Sequence, residues 1–97
     1  MTYTLVVKPS VTEEAGRIYA FREGERIGSG DRFLAALAEC YAQIQANPHG
    51  YQVRKGEYRH VMLAKLKYRL VFRVKGARIF VVQLRHTSRR PSKRFGP

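Results

Sequence analysis

The sequence holds one cysteine, Cys40, so no internal disulfide can form. Its start lacks the basic, apolar and small-residue pattern of a signal peptide, and the two absences together predict a reducing cytoplasm. Every apolar run falls far short of the ~20 residues a membrane-spanning helix needs, so no membrane partner is expected. There is no internal repeat and no low-complexity tract. No Cys/His cluster has metal-ligand spacing, and no glycine-rich loop suits a phosphate. A lone cysteine in a helical stretch makes no nucleophile constellation, and its plainer role is that of a small buried apolar residue. Neither metal nor cofactor is therefore expected. Acidic residues are also scarce, seven against nineteen Lys and Arg.

What is present suffices for one modest core. A length of 97 residues fits a single domain, and 44% hydrophobic with 27% charged residues is a globular balance. The net charge of +12 predicts a polyanionic or acidic partner. That charge is unevenly spread. Residues 1–50 carry five Lys/Arg against six Asp/Glu, net −1, and residues 51–97 carry fourteen against one, net +13. A basic face kept for solubility is the plainer reading. At this density nucleic acid, or a machine that handles it, fits better.

The pattern of 58–86 organises the rest. It reads as a meander of three strands at 58–63, 66–74 and 77–85. Leu66, Tyr68, Leu70, Phe72 and Val74 alternate with Lys67, Arg69, Val71 and Arg73, the period of a half-buried strand. A two-residue turn at Lys75-Gly76 pairs Phe72 with Ile79 and Leu70 with Val81. One face then carries Leu66, Tyr68, Leu70, Phe72, Ile79 and Val81 as core. The other carries Lys67, Arg69, Arg73 and Arg78 among Val71, Phe80, Val82 and Leu84. A second tight turn at Ala64-Lys65 sets His60 across from Arg69, with His86 at the rim of that same face. A one-residue slip would exchange the faces.

Ahead of the meander, residues 3–8 read as a strand joining the sheet. Ser10 with Glu13 fits a capping box at the start of a first helix, with Val11, Ala15, Ile18 and the stem of Arg22 on one stripe and Gly24 as its stop. Ser29 or Asp31 caps a second helix to about Ala46, with Phe33, Leu34, Leu37, Ala38, Tyr41 and Ile44 at helical spacing. Asn47-Pro48-His49-Gly50 ends it. Such a helical hairpin would cover the apolar face of the sheet. Arg54-Lys55-Gly56 reads as a loop at the sheet edge. The fold class is thus α+β, in the order β-α-α-β-β-β, with residues 1–88 as the domain and 89–97 as a basic tail that Phe95 can anchor.

That order, with these residues, resembles the RelE/ParE superfamily of toxins from bacterial type II toxin–antitoxin pairs. The likeness rests on Arg32-Phe33-Leu34 with Ala36-Leu37, and on Asn47-Pro48-His49-Gly50-Tyr51. It rests also on Lys67-Tyr68-Arg69-Leu70-Val71-Phe72-Arg73-Val74 and Leu84-Arg85-His86-Thr87-Ser88-Arg89-Arg90-Pro91. The long hairpin and the Arg-His-x-x-Arg-x-Pro ending resemble the ParE branch. Arg90, where that branch usually has an acid or amide, departs from it, as does Leu66-Lys67 in place of Phe-Pro. The resemblance implies a growth-inhibiting toxin of a plasmid-stabilising or addiction pair, with a helical hairpin on a small antiparallel sheet. It implies neutralisation by a cognate acidic antitoxin, whose charge would complement the basic half and whose tail would fold on binding. Neither self-association nor antitoxin stoichiometry is encoded in these motifs.

Two targets follow from the two branches. ParE-like members poison DNA gyrase without a recognised catalytic site. RelE-like members cut mRNA on the ribosome by attack of the RNA's own 2′-OH, which needs proton acceptors, donors and cations for the phosphate. By that likeness Arg69 is the strand arginine at the phosphate, suited by its planar fork, and His86 matches the strand-end histidine. His60, facing Arg69, would be held neutral as a base; Tyr58 and Glu57 are further proton handlers. Each has a plainer role, Arg69 as an antitoxin contact, His86 as a strand-end residue, His60 as an exposed strand histidine. Arg54, Lys55, Lys67, Arg69, Arg73, Arg85, Arg89 and Arg90 are the candidate target-binding residues. The tail favours gyrase, the sheet face permits RNA cleavage, and an inactive relative that only binds an antitoxin or nucleic acid is the third alternative.

Overall fold

Two helices cover one side of a five-stranded sheet. The computed structural model describes residues 2–63, 65–88 and Phe95. Their order is β1 (Thr4–Val7), α1 (Pro9–Glu25), α2 (Ser29–Ala46), β2 (Val53–Lys55), β3 (Tyr58–Met62), β4 (Tyr68–Lys75) and β5 (Arg78–His86). The sheet runs β1-β5-β4-β3-β2. Strand β1 joins β5 in parallel and the other pairs are antiparallel, so the sheet is mixed rather than wholly antiparallel. The expected order holds with one strand added. Where the sequence suggests an edge loop, Val53–Lys55 pairs with β3; all three side chains are exposed, which leaves no buried-face alternation to read.

The meander forms, but its register is displaced by two. The β4–β5 turn centres on Gly76-Ala77, with Lys75 opposite Arg78 and Phe72 opposite Val81 rather than Ile79. Gly76 has φ of 59°, the left-handed region that glycine enters without a Cβ clash. His60 likewise lies opposite Val71, and Met62 takes the place across from Arg69. The expected tight turn fails here: Leu63 N–H donates to the Tyr68 carbonyl at 3.0 Å, closing a longer connection. Ala64 lies outside the described residues. Because side chains alternate with period two, a shift of two keeps each residue on its expected face.

A bulge then breaks that alternation. Phe72 pairs with Val81, but Val71 pairs with Gln83, leaving Val82 as the extra residue on β5. Beyond it the faces of β5 exchange. Leu84, expected outside, enters the core at 4% exposure. Arg85 turns to the outer side opposite Arg69 but is buried at 5% exposure, so it is not the open target-binding cation expected, and His86 turns to the helix side opposite Tyr68.

The helices bury the expected stripe, with exceptions at its margins and ends. Val11, Ala15 and Ile18 of α1 are buried, and the Arg22 guanidinium lies 5.9 Å over the Tyr68 ring. The capping box does not form, because α1 begins at Pro9 and Ser10 already lies inside it. Proline suits that first turn because its missing N–H would have had no partner there. Gly24 does not stop the helix, which runs to Glu25. Neither Ser29 nor Asp31 caps α2. Glu23 of α1 does that work: its Oε1 accepts from the N–H groups of Gly28 and Gly30 at 2.9 Å and of Asp31 at 3.4 Å. Phe33, Leu37, Cys40 and Ile44 of α2 are buried, while Leu34 and Ala38 at the stripe's edge are exposed. Burial, with Glu39 adding to it, pushes the Cys40 thiol up to about 11, which fits an inert core residue.

Candidate functional site

The side of the sheet facing away from the helices gathers most of the expected cations. Arg69 and Arg85 are direct cross-strand partners on it. Arg54 on β2 is exposed, and its charge reaches both Arg69 and His60. Burial first, then the neighbouring Arg85 and Arg54, holds Arg69 below the usual arginine value. Arg73 is engaged differently. Its Nη1 donates to Glu57 Oε1 at 2.8 Å, and its guanidinium lies 4.9 Å over the Phe80 ring. The one acid of the basic half is thus the partner of an arginine. Lys55 is exposed at the end of β2, and Lys67 is exposed in the turn before β4. Arg89 and Arg90 lie outside the described residues.

His60 stands among these arginines but is sealed. It is 7% exposed, and its Nε2–H donates to the Phe95 carbonyl at 2.7 Å. A carbonyl accepts only, so the proton sits on Nε2, and Nδ1 has no partner among the described residues. Burial is the main cause that lowers the His60 pKa; Arg69, Arg54 and Arg85 lower it further, and the Phe95 bond opposes them. The neutral form expected from the sequence is therefore favoured, though by burial before charge.

This makes stability depend on pH. Unfolded histidine titrates near 6.5, and folded His60 titrates lower. Between the two values the unfolded chain binds the extra proton, so stability is full above about pH 6.5 and falls on acidification. The melting midpoint of the wild type should drop more steeply below that pH than that of His60→Gln, whose amide can still donate to Phe95. Parallel midpoints from pH 7 to 5 would contradict a buried, neutral His60.

His86 is not part of this face. The bulge at Val82 sends it to the helix side, where its ring meets Tyr68 edge-on at 5.2 Å, beside Ile18 and Phe21. Its Nδ1 accepts from Ser88 N–H at 3.0 Å and lies 2.7 Å from Ser88 Oγ. The sheet therefore separates His86 from His60 and Arg69, and these three do not converge on one point. Sequence reading missed the Arg73–Glu57–Phe80 arrangement; the signal was a single acid in a half with fourteen cations. Among the described residues no group of His, Cys, Asp or Glu could hold a metal ion, and no helix is long and apolar enough to cross a membrane.

A helical hairpin on one side of a curled mixed sheet, with a cationic side opposite, places this chain in the RelE/ParE-like fold class. The family described as "ParE toxin of type II toxin-antitoxin system, parDE" matches residues 5–91. The chain belongs to that family, and membership implies a cognate antitoxin as partner. Among solved structures it is similar to one titled "Chromosomal ParDE TA system from P. aeruginosa", with a TM-score of 0.66 and 18% identity, covering 88% of this chain and 96% of that one. At that identity the likeness is one of fold. No curated protein matches the chain.

Proposed function

We propose that this chain is a growth-inhibiting toxin that poisons DNA gyrase through the outer face of its sheet and is neutralised by an acidic antitoxin in the bacterial cytoplasm. The observation that carries the reading is the division of the candidate residues. Arg54 and Arg69 present their charge on the outer face, where Arg85 lies buried beside Arg69 at 5% exposure, whereas His86 lies on the other side. A cationic platform without a gathered acid–base set suits binding and trapping better than RNA cleavage, which needs proton donor, acceptor and phosphate cation within reach of one bond. Crowded arginines also favour an anionic partner by relieving their mutual repulsion.

Purified protein added to a gyrase supercoiling assay should trap cleaved DNA. Arg69→Ala should fold nearly normally and trap much less. Unchanged supercoiling at micromolar protein would defeat the proposal. The juxtaposition of His60 with Arg69 supports RNA cleavage on the ribosome as the second reading. Under it, primer extension on translated messages should show codon-linked cuts that vanish with Arg69→Ala and with His60→Gln. Normal growth on induction without antitoxin would leave only a binding role.

A further inference from the structure

Strand β2 lies at the edge of the sheet, is three residues long and has all its side chains exposed, so packing alone does not fix its place. Its pairing with β3 is irregular too. Val53 lies opposite Arg59 and Lys55 opposite Tyr58, which leaves Arg54 as an extra residue. That bulge decides which cations reach the outer face. Tyr58 shares a face with His60, two residues on, so Lys55 opposite Tyr58 stands on the outer side. Strict alternation would then send Arg54 to the helix side. The extra residue removes that constraint, and the Arg54 charge acts on Arg69 and His60.

Arg59 stands across from the residue at which the bulge begins. It points to the helix side of β3, as its partner Phe72 does. Its Nη1 donates to the Tyr51 carbonyl at 2.6 Å and to the His49 carbonyl at 3.4 Å. Both carbonyls belong to the connection that leads from α2 into β2. The guanidinium is therefore a charged tie between β3 and the chain entering β2, and a charged donor makes the stronger hydrogen bond. The backbone bond beside it, from His60 N–H to the Gln52 carbonyl, is long at 3.3 Å.

We propose that Arg59 is a positioning residue for the outer face: by clamping residues 49–51 it holds the bulged strand β2, and with it Arg54, beside Arg69 and His60. Arg59 acts through Arg54, because its own side chain is turned to the helix side. Arginine suits the task, since it stays charged at every working pH and its planar fork offers several donors in fixed directions. That Arg54 meets the target rests on the reading of the outer face given above. That Arg59 places Arg54 does not.

The His60 ring reports where Arg54 is. Burial is the main cause that holds its pKa down, Arg69, Arg54 and Arg85 add to it, and the Phe95 carbonyl opposes them. Arg54→Gln in the full chain should therefore raise the His60 pKa, followed by NMR titration of its ring protons. In an Arg59→Gln background, where Arg54 is no longer held, the same substitution should leave His60 unchanged. An equal rise in both backgrounds would overturn the inference, because a merely structural Arg59 leaves the Arg54 charge acting as before. Should Arg59→Gln fail to fold, Arg59→Lys takes its place. It keeps one charged donor but loses the fork, so the Arg54 effect should weaken, and an undiminished effect again overturns the inference. In the supercoiling assay Arg54→Gln and Arg59→Gln should each reduce trapping of cleaved DNA, and the double variant should reduce it no further than Arg59→Gln alone. Wild-type protein that leaves gyrase untouched, while Arg59→Gln abolishes the Arg54 effect on His60, removes the target reading alone. Trapping by the wild type, with an equal His60 rise in both backgrounds, removes this inference alone.

Discussion

Phe72→Ala should lower the unfolding free energy by about 3–5 kcal/mol, the range for emptying a buried aromatic site. Phe72 sits in the middle of β4 with no exposed surface. It pairs with Arg59 on one side and Val81 on the other, and Tyr51 meets its ring edge-on at 5.7 Å. The bulge begins at its partner, so neighbouring strands cannot slide to refill the space without losing Leu84 from the core. A small domain has roughly 5–15 kcal/mol of stability in all. The loss should therefore show as a large fall in the urea midpoint with an unchanged slope. A fall of less than about 1 kcal/mol would mean that Phe72 does not face the helices.

The fold was legible where periodicity is long and one-sided. The α2 core, Phe33, Leu37, Cys40 and Ile44, and the alternation of β4 both follow from burial on one face. What was not legible has a common cause: it depends on a residue from a distant segment. The cap of α2 is Glu23 on the other helix, so no local Ser or Asp could reveal it. Edge strand β2 has only exposed side chains, and hydrogen bonding to β3 alone makes it a strand.

The candidate site divides in the same way. Arg69 and Arg73 fell on the outer face because a register error of two leaves parity unchanged. His86 and Leu84 fell on the wrong faces because one extra residue, Val82, reverses parity. Nothing in Val81-Val82 marks a bulge, since both are ordinary strand residues. The lesson is specific to this sheet: residues before the bulge can be assigned to a face from alternation, and residues after it cannot. The grouping of Arg85 with Arg69 and Arg54, and the exile of His86, both lie beyond that point.

The same substitution should have opposite signs in the two helices. Gly30→Ala should destabilise by about 1–3 kcal/mol, the usual range for overpacking, even though alanine is the better helix former by about 1 kcal/mol. A Cβ on Gly30 would lie 2.6 Å from Glu23 Cγ, 2.7 Å from the Tyr19 carbonyl oxygen and 2.8 Å from Tyr19 Cδ1. Glu23 cannot swing away freely, because its carboxylate accepts from three N–H groups at the start of α2. The Tyr19 oxygen is backbone and cannot rotate aside at all. The helices must therefore separate at this contact. Gly16 lies exposed inside α1, with nothing within 4 Å of a Cβ added there. Gly16→Ala should stabilise by about 0.4–1 kcal/mol, by restricting the unfolded chain. Thermal midpoints of the two variants should move apart from the wild type in opposite directions, and a shared direction would mean that the hairpin is not packed through Gly30.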